Sequence, residues 1–224
     1  GFETVTIAYH GAIAHHDSAG NSGVIYAGDV QWMTAASGIL HKEYHEKQYS
    51  LGGGDFQMVQ LWVNLPSRFK MSKPKYQGIM NQEIPKVQLE NQAGVVEVIA
   101  GTFRNVKGAA STFTPIETYN IKLKAGATET FSLPENYNTG MVVIEGNVKI
   151  NEADEAKADD FVHFKNEGTS ITITAITDTI VLVLSGEPID EPIAAYGPFL
   201  MNNQEEIQQA IADFNQGRFG YLEE

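Results

Sequence analysis

The stretch GILHKEYHE, residues 38–46, places His41 and Glu43 two positions apart, with His45 continuing the alternation. On an extended backbone, residues two apart leave the same face. If that face is the inside of a small barrel, an imidazole nitrogen and a carboxylate oxygen converge on one point, as a divalent metal requires. An H-x-E spacing also arises by chance. The alternative is therefore a strand end carrying a hydrated carboxylate. Elsewhere, His10 stands before Gly11, and His15 and His16 are adjacent, so on a strand only one of that pair can face inward. His163 has no H-x-H or H-x-E companion and reads as a partly buried strand residue.

Composition narrows the chemistry. The 224 residues contain no cysteine, which removes disulfides, thiolate zinc sites and cysteine nucleophiles and leaves histidine and carboxylate as metal ligands. A reducing, cytoplasmic setting is expected. With 28 acidic against 15 basic side chains, the net charge of -13 opposes a phosphate backbone, and no Lys/Arg cluster offsets it. Direct nucleic-acid binding is not expected. The longest apolar run, around IVLVLSG, is too short for a bilayer, and no basic segment followed by an apolar one opens the chain. No membrane association is expected. The opening GFETVTIAYHG reads as a strand and lacks an initiator Met, so the expectation is that encoded sequence upstream is absent.

Around these residues, positions 1–65 alternate β-branched or aromatic residues with polar ones, the period-2 signal of half-buried strands. The stretch SRFKMSKPKYQGIMNQEIPKVQL mixes Pro, Lys and Gln without periodicity and reads as an inter-domain connection. A second all-β pattern begins near Val95, its closely spaced strands indicating a sandwich or barrel. The expected fold is thus all-β, with two domains: 1–84, carrying the His41–Glu43 pair, and 85–224. Asn203 followed by Glu206 is a capping-box start for a helix. Ile207, Ile211 and Phe214 form its apolar stripe, and Gly217 stops it.

Gly38 three residues before His41 resembles the second cupin motif, although Ala36 and His45 stand where cupins usually have Pro and Asn. The resemblance then widens: GFETVTIAYHG, HDSAGNSGVIYAGDVQWMTAASGILHKEY, VQLWVNLP and LSGEPIDEPIAAYGPFLMNNQEEIQQAIADFNQGRFG are similar to the pirin family from end to end. That resemblance implies two tandem cupin (jelly-roll type) β-barrels with a short C-terminal α-helix and a metal, most often Fe(II), in the first barrel only. It implies His41 and Glu43 as two of four ligands, the other two being an H-x-H expected immediately upstream of Gly1. It implies a quercetin 2,3-dioxygenase-like cleavage of flavonols by dioxygen, with Glu43 as ligand and proton acceptor. The alternative it implies is an iron-dependent, redox-sensing role with a protein partner or in transcription, without turnover, and a nuclear location as well if the source is eukaryotic. The family commonly has a histidine at His15, read here as structural or solvated, and Glu3 is left as a supporting group near the metal. His45 departs from the family and is the better spare ligand.

Overall fold

The computed structural model describes residues 1–222. The chain divides into two compact units, Gly1–Asn81 together with the segment from Ile189 onward, and Gln82–Pro188. Strands dominate both, as the alternation predicts.

In the first unit the strands are β1 (Phe2–His10), β2 (Ala12–Asp17), β3 (Ser22–Tyr26), β4 (Val30–Thr34), β5 (His41–His45), β6 (Gln57–Asn64) and β7 (Lys75–Ile79), with short helices α1 (Lys47–Gly52) and α2 (Ser67–Lys70) between them. They form a four-stranded sheet in the order β6-β1-β4-β7 and a three-stranded sheet in the order β3-β2-β5. All pairings are antiparallel. Central β1 is buried on both faces, which explains why its apolar and polar residues do not alternate cleanly. One face carries Glu3, Val5 and Ile7 beside Thr34, Trp32 and Val30; the other carries Thr4 and Thr6 beside Trp62 and Gln60.

The stretch read as an inter-domain connection is largely structure. Its Lys75–Ile79 segment pairs with β4 from Thr34 to Val30, so it closes the edge of the first sheet. Pro74 hid this strand, because a proline at a strand's start is compatible with pairing whereas aperiodic Lys and Gln around it mask the pattern.

The second unit contains β8 (Lys86–Gln88), β9 (Gly94–Ala100), β10 (Thr102–Phe103), β11 (Val106–Lys107), β12 (Ile116–Leu123), β13 (Thr128–Ser132), β14 (Asn138–Glu145), β15 (Asn147–Ile150), β16 (Asp154–Lys157), β17 (Phe161–His163), β18 (Ser170–Ala175) and β19 (Thr179–Gly186). A six-stranded sheet, β17-β14-β19-β12-β9-β8, and a four-stranded sheet, β13-β18-β15-β16, enclose an apolar core that includes Tyr119, Ile121, Met141, Val143, Val181 and Ile173. Side chains fill this interior. His163 lies at the edge of the unit on β17, exposed where the sequence reading has it partly buried.

After β19 come β20 (Ala194–Tyr196), β21 (Phe199–Met201) and α3 (Gln204–Asn215). The division at residues 84 and 85 would assign this segment to the second half of the chain, but its contacts lie with the first unit. The Glu191 carboxylate accepts from the Ser67 backbone N–H at 2.6 Å and the Ser67 hydroxyl at 3.1 Å. Helix α3 begins as expected: Asn203 Oδ1 accepts from the Glu206 N–H, while the Glu206 carboxylate reaches back to the Asn202 N–H, one residue earlier than a standard capping box. Ile207 and Ile211 pack on Ala194, Phe199 and Met201 of its own hairpin.

Glu3 is only 1% exposed, with Oε1 accepting from the Thr34 hydroxyl at 2.6 Å and Oε2 buried without a partner. Burial pushes its carboxyl above the ordinary value of 4.5, against opposing contributions from Thr34 and Lys75. The folded protein therefore binds this proton more tightly than the unfolded chain. The stability it contributes is complete below the ordinary carboxyl range and is lost as pH rises through the raised value. Glu3→Gln keeps an acceptor for Thr34 and cannot ionise. Its urea-midpoint profile should be flatter than wild type from about pH 4.5 upward; an unchanged slope would show that the wild-type carboxylate ionises in the fold without penalty.

Candidate metal and substrate site of the first unit

The site forms where the two sheets of the first unit face each other. Strand β5 pairs with β2 so that Glu43 lies opposite His15, His41 opposite Asp17, and His45 opposite Ile13. Directly opposed residues share a face, so this register gathers His15, Asp17, His41 and Glu43 on one side of the sheet. From the other sheet, the fully buried Thr6 donates to Glu43 Oε1 at 2.7 Å and Gln60 Nε2 donates to Glu43 Oε2 at 2.7 Å. Thr6 and Gln60 are themselves opposite one another on β1 and β6. The carboxylate is thus held from across the barrel by two donors, and its position is set by both sheets.

His41 is half-buried, and its Nε2 is enclosed without a hydrogen-bond partner. Burial holds its imidazole below the usual value of 6.5, with Asp17 pulling the other way. A neutral imidazole with an uncommitted nitrogen has the electronic form of a metal ligand or a proton acceptor.

His15 is not solvated as the sequence reading allows; it is 2% exposed. Its Nε2 lies 2.8 Å from the Tyr76 hydroxyl, the two rings stack with centroids 5.2 Å apart, and the His41 ring centroid is 5.9 Å away. Burial first and His41 second hold its pKa down. Tyr76 belongs to the strand hidden in the apparent connection, so its part in the site was not legible from the sequence. The HH doublet was the available signal, and only the β2–β5 register selects which member faces inward.

The remaining candidates separate. His16 leaves the opposite face and meets Tyr44 edge-on at 5.7 Å. His45 is exposed and edge-on to Phe56 at 4.6 Å, at the end of β5 away from Asp17. Asp17 is committed to the turn after β2, accepting from the backbone N–H groups of Ala19 and Asn21. Glu3 does not support the pair, because it leaves the face of β1 opposite to Thr6.

Beside His41 opens a cavity of about 730 Å³ lined by Phe2, Met33, His41, Gln60, Trp62 and Phe219 among others. Its size and largely apolar wall with a few polar groups suit a small organic ligand. Lys70 also borders it, buried, donating to Asn64 Oδ1 at 2.6 Å and to the Gly1 carbonyl at 3.0 Å. Burial lowers its pKa.

The donor chemistry fits a first-row divalent metal as a partial shell. The orphaned His41 Nε2 and the tethered Glu43 carboxylate are an appropriate nitrogen–oxygen pair. Among the described residues no three His, Asp or Glu side chains are grouped to hold an ion, so a complete shell needs ligands beyond these two.

Two cupin units, one with a polar interior around His41 and Glu43 and one packed with apolar side chains, make this chain a bicupin. The Pirin family model matches residues 1–63, and the model for the pirin C-terminal cupin domain matches residues 118–220. A crystal structure of a quercetin 2,3-dioxygenase from Acinetobacter baumannii is similar at 47% identity with a TM-score of 0.94, over 100% of this chain and 77% of that one. A pirin-like protein of Solanum lycopersicum is 36% identical over 99% of this chain and 75% of its own length, and pirin-like protein 2 of Arabidopsis thaliana is 39% identical over 99% and 69%. The chain belongs to the pirin family.

Removing the Tyr76 hydroxyl leaves His15 enclosed without any partner. Tyr76→Phe should therefore destabilise the first unit by about 1–3 kcal/mol, read as a lowered urea midpoint; an unchanged midpoint would mean that water or another group satisfies His15.

Proposed function

We propose that the first unit houses an iron-dependent dioxygenase site acting on flavonols such as quercetin. The observation that carries this reading is the buried, unpartnered Nε2 of His41, a residue that borders an aromatic-walled cavity, on the same strand face as a carboxylate held by two donors. The similarity to a quercetin 2,3-dioxygenase across the whole chain supports the same choice.

His41 Nε2 and a Glu43 oxygen would hold the metal, together with the two histidines that the family resemblance implies. When bound, iron would supply Lewis acidity toward the substrate oxygen and access to dioxygen chemistry. The chain's own residues have distinct tasks. Phe2 and Trp62, whose rings lie 4.5 Å apart, offer flat apolar surface to a planar substrate. Glu43 accepts the proton of the flavonol 3-hydroxyl, which makes that oxygen a better electron donor. Thr6 and Gln60 hold the carboxylate in place while it does so. The apolar lining excludes water and so strengthens each polar contact inside.

Glu43→Gln keeps the size and one carbonyl oxygen but cannot accept the proton. In the complete protein, with the two further histidine ligands present, oxygen uptake with quercetin should fall by about 100-fold or more in kcat, while metal content by elemental analysis remains substantial. Turnover equal to wild type would remove Glu43 from the chemistry. Absence of any oxygen uptake in the wild-type complete protein, together with an iron-redox-dependent complex in a pull-down, would replace the enzyme reading with the protein-interaction role.

A further inference from the structure

We propose that the segment Gly217–Gly220 is a specificity strap for this site: Phe219, seated in the notch left by Gly38, forms the wall that sets which planar aromatic ligands the cavity admits. The inference rests on the cavity being the substrate site and adds a residue outside the cupin strands to it.

Three sets of contacts place the strap. Gly38 has φ +125°, and a Cβ built there would sit 2.2 Å from Phe219 Cε1 and 2.3 Å from Cδ1, so the Phe219 ring occupies the space that any other residue's side chain would need. The backbone is tied at the same point: the Ser18 hydroxyl donates to the Phe219 carbonyl and accepts from the Leu40 N–H at 3.0 Å, and the Ser18 N–H donates to the Leu40 carbonyl at 2.9 Å. Leu40 immediately precedes His41. The strap therefore grips the approach to β5 one residue before the candidate ligand.

Its other end is anchored to α3. The Arg218 guanidinium meets Asp213 Oδ1 at 2.9 Å, and the Arg218 N–H donates to the Asp213 carbonyl at 3.0 Å. Phe219 forms a triangle with Phe199 and Phe214, with centroid separations of 6.4 Å to Phe199, 6.1 Å to Phe214 and 6.4 Å between those two. Aromatic rings at these distances restrict one another's movement while leaving one ring free to present a surface. Phe219 borders the same cavity as His41 and Trp62. A planar ligand entering beside His41 then meets a ring whose position is decided by the glycine notch and by the two neighbouring phenylalanines. A purely structural Phe219 would change stability alike for every ligand; a wall changes the ranking of ligands by size.

The test measures binding without turnover. Trp62 is 54% exposed and lines the cavity, whereas Trp32 is 1% exposed and leaves the opposite face of the sheet, so ligand quenching of tryptophan emission reports on the cavity through Trp62. Dissociation constants are measured on the full chain for flavonol, quercetin and 4′-benzyloxyflavonol. Phe219→Ala should weaken unsubstituted flavonol and shift the ratio of its dissociation constant to that of the benzyloxy compound by about tenfold in favour of the larger ligand. If Phe219→Ala does not fold by circular dichroism, Phe219→Leu is read for the same ratio.

A ratio unchanged in the Phe219 variant overturns the proposal. So does the absence of saturable quenching by all three ligands. Oxygen uptake by the same variants of the complete protein, with all four ligands present, separates the two readings. Binding with the size shift but no uptake defeats the dioxygenase reading and leaves the strap; uptake with an unchanged size preference does the reverse.

Discussion

The first unit depends on one cross-sheet connection, the Glu43 carboxylate held between Thr6 on β1 and Gln60 on β6. A carboxylate brought into a half-buried barrel needs donors for its oxygens, or ionisation there becomes costly. Both donors come from the sheet that does not contain Glu43. The polar interior consequently requires both sheets in register, and a slip of one residue in β5 would turn His41 and Glu43 outward together. The same register that pairs Glu43 with His15 sets the imidazoles of His15 and His41 side by side. Chemistry and topology are thus coupled through strand pairing.

The two units illustrate opposite uses of one architecture. In the second, the facing sheets enclose Tyr119, Met141, Val143 and Val181, and the interior is packed with carbon. In the first, comparable positions carry Thr6, Gln60, His15, His41 and Glu43, and close packing gives way to a cavity. An apolar interior contributes stability through buried area. A polar interior needs its groups matched, and among the buried atoms left unmatched are the imidazole nitrogens His15 Nδ1 and His41 Nε2, which can bind a metal or a proton. The contrast explains why the first unit has room for a polar site inside its barrel whereas the second fills the same kind of interior with apolar side chains.

The segment after β19 also changes the meaning of the chain's order. Helix α3 and the residues beyond it follow the second unit in sequence yet pack with the first. They bring Phe199, Phe214 and Phe219 to a cavity whose His41 lies more than 150 positions earlier. Loop closure costs rise only slowly with length, so such a return is thermodynamically accessible when it covers apolar surface.

Much was legible from residue order alone. Period-2 alternation disclosed the all-β class, the His41–Glu43 spacing placed two candidate ligands on one face, and the Asn203, Ile207, Ile211 and Gly217 pattern located the last helix and its end. Local rules suffice there because each depends on neighbours within a turn or a strand. The tertiary structure alone decided that Lys75–Ile79 is a strand, that His15 rather than His16 stands beside His41, that Tyr76 is its partner, and that Phe219 fills the space over Gly38. Each is a contact between positions 26 to 181 residues apart. Strand register and side-chain packing establish such contacts, and neither leaves a periodic trace in the sequence.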